Sequence, residues 1–347
     1  MSDYVRRYAK PFRHSSGFTL IELMVAMLLG LIVVGGVASV FLAGQQTYRA
    51  NDALSDVENG SRAAFEMLAH DIRNAGLTGC DNSNGRVANV INPPFPWYAD
   101  WANALHGYDD ATKDPALVPP AVPTTGEMSP VANTSSVHVI STGNLDVTVS
   151  SVPSSNAANI KINADTSQLN TGDMIMLCDF DHAAIVQIDV YAGSGMVVVH
   201  NTGNKVSPGN CSKGLGYPTI CSGSATGNGY SFPPNSRIAK LTASVWYIGN
   251  NSANGRSLYR LNATSSSSGI SAVPQEMVRN VTGMTIKYMQ PSGADFVTAA
   301  SVTNWATANA AQIKLTLQST NPRATVNGAA PLVRPFTSTT TVRNRVQ

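Results

Sequence analysis

A run of 21 residues without a charged side chain, residues 23–43, constrains the fold of this chain more than any other feature. As an α-helix, a segment of this length spans roughly 30 Å, which is the thickness of the hydrocarbon core of a bilayer. Four basic residues and one acidic residue precede it within residues 1–17. Because basic flanks stay on the cytoplasmic side of a membrane, the pattern predicts a cytoplasmic N-terminus and translocation of the rest of the chain.

A cleaved secretory signal peptide has the same basic start and is the alternative interpretation of this segment. Such a peptide has an apolar region of about 7–15 residues, followed by a cleavage site between small residues. Here the apolar region is longer, and Gly44-Gln45-Gln46 is a poor site of that kind. The sequence therefore favours a retained membrane-spanning segment at about residues 20–43.

The helical pattern continues beyond the apolar run, because no proline occurs between Pro11 and Pro93. Apolar residues recur at spacings of three, four and seven, as on one face of a helix. They are Leu54, Val57, Ala64, Phe65, Leu68 and Ile72. We predict one helix over residues 18–75, with Gly76 as its C′ residue. Its first half is apolar all round, and its second half is amphipathic.

The remainder of the chain, residues 76–347, predicts a β-rich globular head. From Val137 on, short apolar runs alternate with turns rich in Gly, Ser, Asn and Pro, and Ile313, Leu315 and Leu317 alternate with polar residues. The predicted strands are residues 137–140, 145–149, 174–178, 185–190, 196–200, 239–248, 284–289, 313–317 and 337–343. The fold class is therefore α+β, with the helix on a predominantly antiparallel head. The serine-rich residues 262–269 predict a flexible loop.

Four cysteines, Cys80, Cys178, Cys211 and Cys221, all lie beyond the apolar run. An even number in a translocated chain permits two disulfides. The spacing of Cys211 and Cys221 fits a small local loop, which would leave Cys80 and Cys178 for a long-range bridge, although the sequence allows three pairings. No CxxC pair is present, so the pattern does not predict a zinc site.

Glu22 lies at the start of the apolar segment, where a charge is expensive. A charge near the bilayer centre costs roughly 2.5–3.5 kcal/mol on insertion scales, so a partner or a function is expected. A side chain that reaches back to the headgroups is the alternative, but glutamate is short and lies within the helix. The sequence therefore marks Glu22 as a functional residue.

The residues Gly17-Phe18-Thr19-Leu20-Ile21-Glu22 resemble the class III signal of type IV prepilins and type II secretion pseudopilins. The resemblance implies that residues 1–17 are a leader, which a prepilin peptidase removes after Gly17. It implies that Phe18 is then N-methylated. It also implies that Glu22, the fifth mature residue, pairs with the amine of Phe18 in its own or a neighbouring subunit and acts in assembly.

Further stretches resemble the PilW-type minor pilins of type IV pilus assembly. They are residues 45–49 (QQTYR), 71–82, 172–188, 246–262 and 335–345. The resemblance implies a pilin fold and a non-enzymatic subunit, without a cofactor, that primes or caps the fibre. It implies a single-pass inner-membrane precursor with a periplasmic head, then a pilus at the cell surface. Its partners would be other major and minor pilins and a tip adhesin, and its roles twitching motility and adhesion.

Two other functions are alternatives to this one. A type II secretion pseudopilin would share the same N-terminal segment. A DNA-uptake or surface-adhesion receptor would need a basic surface to bind nucleic acid. Residues 1–17 carry a net charge of +3, which leaves residues 18–347 at −1. No GxSxG, GxxxxGK[ST] or GxGxxG motif is present, so the sequence does not predict an enzyme.

Three further clusters have a structural and a functional interpretation. Asp179, Asp181 and His182 end a predicted strand, and we interpret them as a turn rather than a metal site. Residues 81–85 resemble a fragment of a calcium loop but are interpreted as a turn. Aromatic residues concentrate in a proline-rich stretch, where they either fill the core of the head or form a partner-binding patch. They are Phe95, Trp97, Tyr98, Trp101 and Tyr108.

Overall fold

The computed structural model describes residues 17–80, 86–221, 226–266, 269–291, 293–325 and 330–345. These residues form one long helix, α1 (Leu20–Arg73), and fifteen strands. The strands are β1 (Val87–Asn89), β2 (Leu105–Tyr108), β3 (Ser136–Thr142), β4 (Val149–Ser151), β5 (Asn159–Ile162), β6 (Met174–Cys178), β7 (Ala183–Gln187), β8 (Val190–Ala192), β9 (Val197–Val199), β10 (Arg237–Asn250), β11 (Arg256–Ser266), β12 (Gly269–Arg279), β13 (Val281–Met289), β14 (Ala310–Gln318) and β15 (Val333–Thr341). The predicted α+β class is confirmed.

The strands form three sheets. The largest has eight strands, and β10 is its spine, because β10 pairs with β6 and then β3 along one edge and with β11 along the other. The order β13-β14-β15 makes a second sheet, and β4-β5-β9-β8 a third. Within the described residues, every pairing of named strands is antiparallel except that of β1 with β7.

The amphipathic half of α1 packs where the first and second sheets meet. One core cluster takes Val57, Ala64, Leu68 and Ile72 from the helix, Val137, Trp246, Ile248 and Leu258 from the first sheet, and Met284, Ile286, Ile313, Leu315 and Leu317 from the second. The alternation predicted for β14 is confirmed, since Ile313, Leu315 and Leu317 are all buried. Helix and sheets thus share one core, which gives α1 a fixed position on the head.

The predicted limits and face of α1 need small corrections. The helix starts and ends two residues inside the predicted range, and Asn74 is its C-cap, so that Gly76, at φ 71°, lies one position beyond C′. Leu54 is 39% exposed, whereas Ala53 is buried. Ala53 precedes Val57 by four residues and lies on the buried stripe, but Leu54 is rotated about 100° further round the helix.

Several strand predictions were wrong. Residues 145–148 form no strand, and β4 begins only at Val149. The predicted strand at 185–190 is instead the end of β7 and the first residue of β8. Strands β1, β2, β5, β11 and β12 were not predicted. The predicted flexible loop at 262–269 belongs largely to the β11–β12 hairpin, whose hydroxyl side chains pair across strands, as Thr264 does with Ser271.

Two disulfides brace the head. Cys80, seven residues beyond the end of α1, is bonded to Cys178 at the end of β6, and Cys211 is bonded to Cys221. This is the pairing that the spacing of the cysteines favours. The long-range bridge joins residues 98 positions apart and attaches the segment that follows the helix to the large sheet.

Candidate functional site

The residues of the predicted processing site lie immediately before α1 and in its first turn. Gly17, Phe18 and Thr19 precede the helix, and all three are exposed. The Thr19 backbone N–H and hydroxyl donate to Glu22 Oε2 at 3.0 and 2.9 Å, and the Glu22 N–H donates to Thr19 Oγ1 at 3.3 Å. This reciprocal arrangement is a capping box, which satisfies free donors at a helix start. The spacing T-x-x-E, from Thr19 to Glu22, is the signal in the sequence that indicates this cap.

The apolar half of α1 has no partner within the described chain. Every residue from 17 to 45 is exposed, and the most apolar 18-residue window has a mean hydropathy of 2.6. By length and composition this helix is able to cross a membrane. Its four glycines, Gly30, Gly35, Gly36 and Gly44, have open space around them. The helix nevertheless runs through all four positions without interruption.

A polar contact that the sequence did not reveal fixes the end of α1 to the large sheet. Asp71 Oδ2 accepts from Trp246 Nε1 at 2.9 Å and pairs with Arg260 Nη2 at 3.0 Å. Ser244 Oγ lies 3.4 Å from the same oxygen, and the Arg260 guanidinium lies 5.5 Å above the Trp246 ring. Asp71 is distant in sequence from all three partners, so no local pattern could indicate the contact.

Nearer its apolar half, α1 contacts the loop that follows β14. Asp56 Oδ2 accepts from the backbone N–H and the hydroxyl of Thr320 at 3.0 and 2.9 Å. Gln46 Nε2 donates to the Thr325 carbonyl at 3.4 Å. Contact between helix and head therefore begins at Gln46, immediately after the fully exposed segment.

The Asp179–His182 cluster is a turn, as the sequence predicted. Asp179 Oδ1 accepts from the backbone N–H groups of Asp181 and His182, and Asp179 Oδ2 accepts from the Tyr230 hydroxyl at 2.6 Å. Arg86 Nη1 pairs with Asp181 Oδ1 at 3.0 Å. The described residues contain no group of three or more His, Cys, Asp or Glu side chains able to hold a metal ion. Residues 81–85 lie outside the described residues, as does the leader before Gly17.

The five aromatic residues of the proline-rich stretch divide between two roles. Trp97, Tyr98 and Trp101 are half-buried and pack on a core cluster below the large sheet, which agrees with the core-filling interpretation. Phe95, 42% exposed, lines a cleft of about 200 Å³ together with Trp97 and Tyr108. Tyr98 and Trp101 thus fill the core, Phe95 and Tyr108 line the cleft, and Trp97 does both.

His138, which lines this cleft, is paired with the buried side chain of Asp114. Asp114 is fully buried, and its two carboxylate oxygens lie 2.8 and 2.9 Å from His138 Nε2. The same carboxylate accepts from the Ser136 hydroxyl and from the backbone N–H of Ala116. With three kinds of donor, Asp114 satisfies the hydrogen bonds that a buried carboxylate requires. The His138 ring is therefore held in one orientation.

His106 and Tyr108, on β2, complete the ring cluster. The His106 ring lies 4.8 Å from Tyr108 and 4.6 Å from Trp305, centroid to centroid. Burial lowers the pKa of His106, and nearby His138 lowers it further. Burial and then the charges of Asp114 and Asp100 raise the pKa of Tyr108. Both side chains are thus uncharged near neutral pH.

Comparison with known proteins bears on the N-terminus. The family model described as the prokaryotic N-terminal methylation motif matches residues 12–38. No curated protein and no solved structure matches the chain. The matched residues contain the Gly17–Phe18 bond, the capping box with Glu22 and most of the apolar run. The match supports a prepilin-like N-terminus, of the kind found in type IV pilins and pseudopilins, for this part of the chain.

Proposed function

We propose that this protein is a minor pilin of the PilW type that acts in the assembly of type IV pili. It is made as an inner-membrane precursor with a cytoplasmic N-terminus and a periplasmic head. A prepilin peptidase removes the leader after Gly17, and the new amine of Phe18 is methylated. The subunit then joins other minor pilins and primes or caps the fibre, as a structural protein rather than an enzyme.

The observation that carries this proposal is the contrast between the two halves of α1. All side chains of residues 17–45 are exposed, whereas the second half is held in the core of the head. An apolar helix of this kind is stable in a bilayer, and equally among similar helices once it leaves the bilayer. The glycines with open space around them permit close approach of such neighbours.

The capping box is compatible with an additional role for Glu22 after cleavage. The contacts to Thr19 use Oε2, and Oε1 makes no hydrogen bond with any described residue. Cleavage after Gly17 would create an ammonium group on Phe18, four residues before Glu22 and roughly 6 Å away along the axis. Glu22 can therefore keep its hydrogen bonds with Thr19 through Oε2. Its Oε1 can at the same time pair with this ammonium group or with that of a neighbouring subunit.

The first test is mass spectrometry of the mature chain. We expect an N-terminus at Phe18 that carries one methyl group. Gly17→Val should leave the leader attached, because the peptidase would act at the glycine. Gly30→Ala is the matched control, since a methyl group there meets no atom within 4 Å. A mature chain that starts elsewhere would contradict the processing step.

The second test is deletion of the gene in its native host, followed by complementation. We expect loss of surface pili in the deletion strain and recovery with the wild-type gene but not with Glu22→Ala. Asp52→Ala, which removes an exposed carboxylate from the head-bound half of the same helix, should restore piliation fully. Normal piliation in the deletion strain would overturn the assembly role.

The same strains distinguish a pilus from a secretion system. If pili persist and exported enzymes accumulate in the periplasm of the deletion strain, the subunit is a type II secretion pseudopilin. This second function shares the processing motif and the apolar helix. The stretches that resemble PilW-type pilins favour the pilus.

A further inference from the structure

The aromatic cleft on the head has properties that pilus assembly through α1 does not require. It has a volume of about 200 Å³, and Phe95, Trp97 and Tyr108 contribute three aromatic rings to its walls. The cleft lies in the head, whereas the apolar half of α1 ends before Gln46. Ligand binding in this cleft therefore does not depend on the assembly role proposed for α1.

The electrostatic character of the cleft is negative. Asp100 lines it, and no lysine or arginine is among its lining residues in the described part of the chain. The buried Asp114 is paired with His138, which also lines the cleft, whereas Asp100 has no cationic partner among the described residues. Burial lowers the pKa of His106, so this imidazole adds no positive charge. The aromatic rings that line the cleft have quadrupoles whose faces are negative.

The hydrogen-bonding groups of the cleft favour a ligand that donates. The side-chain N–H of Asn103 already donates to Asp100 Oδ2 at 2.7 Å, and His138 Nε2 faces Asp114. Asp100 Oδ1 makes no hydrogen bond within the described residues and remains able to accept. Each hydroxyl group of a sugar offers one donor and two acceptor lone pairs, whereas a primary ammonium group offers three donors and no acceptor.

We propose that this cleft binds an alkylammonium group, with the carboxylate of Asp100 as its counter-ion and the rings of Phe95, Trp97 and Tyr108 around it. Cations are attracted to aromatic faces, most strongly where water is displaced, and aromatic cages of this kind recognise ammonium ligands. The Trp97 and Tyr108 rings pack on His138, with centroids 5.5 and 5.4 Å from the centroid of its ring. The ammonium group comes either from a lysine side chain of another protein or from a free polyamine.

The test uses the full chain in a polyoxyethylene detergent, which carries neither charge nor sugar. At pH 8, above the ordinary histidine pKa of about 6.5, binding of n-butylammonium is measured by calorimetry and saturation-transfer NMR. The neutral control is n-butanol. We expect n-butylammonium to bind at least ten times more tightly than n-butanol. Equal affinities, or tighter binding of a methyl galactoside, would overturn the proposal.

Variants then locate the binding. Asp100→Asn keeps the shape of the side chain and should lower the affinity for n-butylammonium at least tenfold. Phe95→Ala changes an exposed ring, so the fold should persist while affinity falls several-fold. Asp146→Asn, at an exposed site away from the cleft, removes the same charge and should change nothing. Unchanged binding in both Asp100→Asn and Phe95→Ala would refute the assignment.

A final comparison distinguishes the two sources of the ligand. Affinities for spermidine and for the blocked tripeptide Ala-Lys-Ala are measured under the same conditions. Tighter binding of the peptide would indicate a lysine of a partner protein, and tighter binding of spermidine a free polyamine. Binding of neither would overturn the proposal.

Discussion

At the scale of single residues, two carboxylates on α1 show how differently sequence and structure reveal function. Glu22 stands out in the sequence because a charge is rare in an apolar segment. Its capping contacts with Thr19 are local, at a separation of three residues. Asp71 looks like an ordinary surface residue of an amphipathic helix. Only the folded chain brings Trp246 and Arg260 to it.

Asp71 should contribute strongly to the attachment of the helix. Asp71→Ala leaves the Trp246 N–H and the Arg260 guanidinium without their shared acceptor, and hydrogen bonds to charged groups contribute about 1.5–3 kcal/mol. We expect the free energy of unfolding to fall by about 2 kcal/mol, measured by urea denaturation of the full chain in detergent. The control Asp52→Ala, at an exposed position, should stay within about 0.5 kcal/mol. Equal losses in the two variants would contradict the role of this contact.

His200 should make the head less stable in acid. Burial lowers its pKa from 6.5 to about 4, so the folded chain resists a proton that the unfolded chain accepts. Stability is therefore unaffected above pH 6.5 and decreases as the pH falls from 6.5 to 4, by up to about 3 kcal/mol.

The measurement is urea denaturation at several pH values between 7 and 4.5. His200→Leu should flatten the decline over this interval, because the group that binds the proton is gone. His70→Gln replaces an exposed histidine on α1 and should leave the decline as in the wild type. Parallel declines in His200→Leu and the wild type would contradict the prediction.

At the scale of elements, periodicity predicts those segments whose neighbours all lie on one side. The amphipathic half of α1 and strand β14 each bury one face, and both were predicted with small errors at their ends. Strands β11 and β12 carry many polar residues and are stabilised by pairing with each other. Such pairing leaves a weak mark on local sequence, since cross-strand partners are distant along the chain.

The two disulfides should differ in their contribution to stability. A bridge constrains the unfolded chain more when it closes a longer loop, by about 5 kcal/mol for 100 residues against about 3 kcal/mol for ten. Cys80 and Cys178 are 98 positions apart, and Cys211 and Cys221 are ten apart.

We therefore expect the double variant Cys80→Ser/Cys178→Ser to lose about 2 kcal/mol more than Cys211→Ser/Cys221→Ser. Both are compared with the wild type by chemical denaturation without reductant. A larger loss in the Cys211→Ser/Cys221→Ser variant would show that loop closure does not decide the difference.

At the scale of the whole molecule, one helix serves two environments. Its first half is exposed throughout and is long and apolar enough to cross a bilayer. Its second half completes the core that the first and second sheets share. The change of environment occurs near Gln46, where the first contact with the head is made.

This division predicts where the chain can be shortened. A chain that begins at Gln46 should fold as a monomer without detergent, because it keeps the buried stripe of α1. A chain that begins at Gly60 lacks Ala53 and Val57 and should be less stable by about 3 kcal/mol or more. Size-exclusion chromatography and thermal melts measured by circular dichroism test both. Equal melting temperatures would contradict the shared core.

The sequence by itself determined the apolar helix, the processing motif and the β-rich character of the head, because each depends on residue types at short spacings. Hydrophobic length and period are local properties, as is the T-x-x-E cap. Only the tertiary structure decided that β10 is the spine of the large sheet, that Asp71 meets Trp246 and Arg260, and that Asp100 lines an aromatic cleft. The pairing of β10 and the contacts of Asp71 join residues far apart in the chain, and the cleft combines residues 95–115 with His138. Their energies appear only once the core has formed.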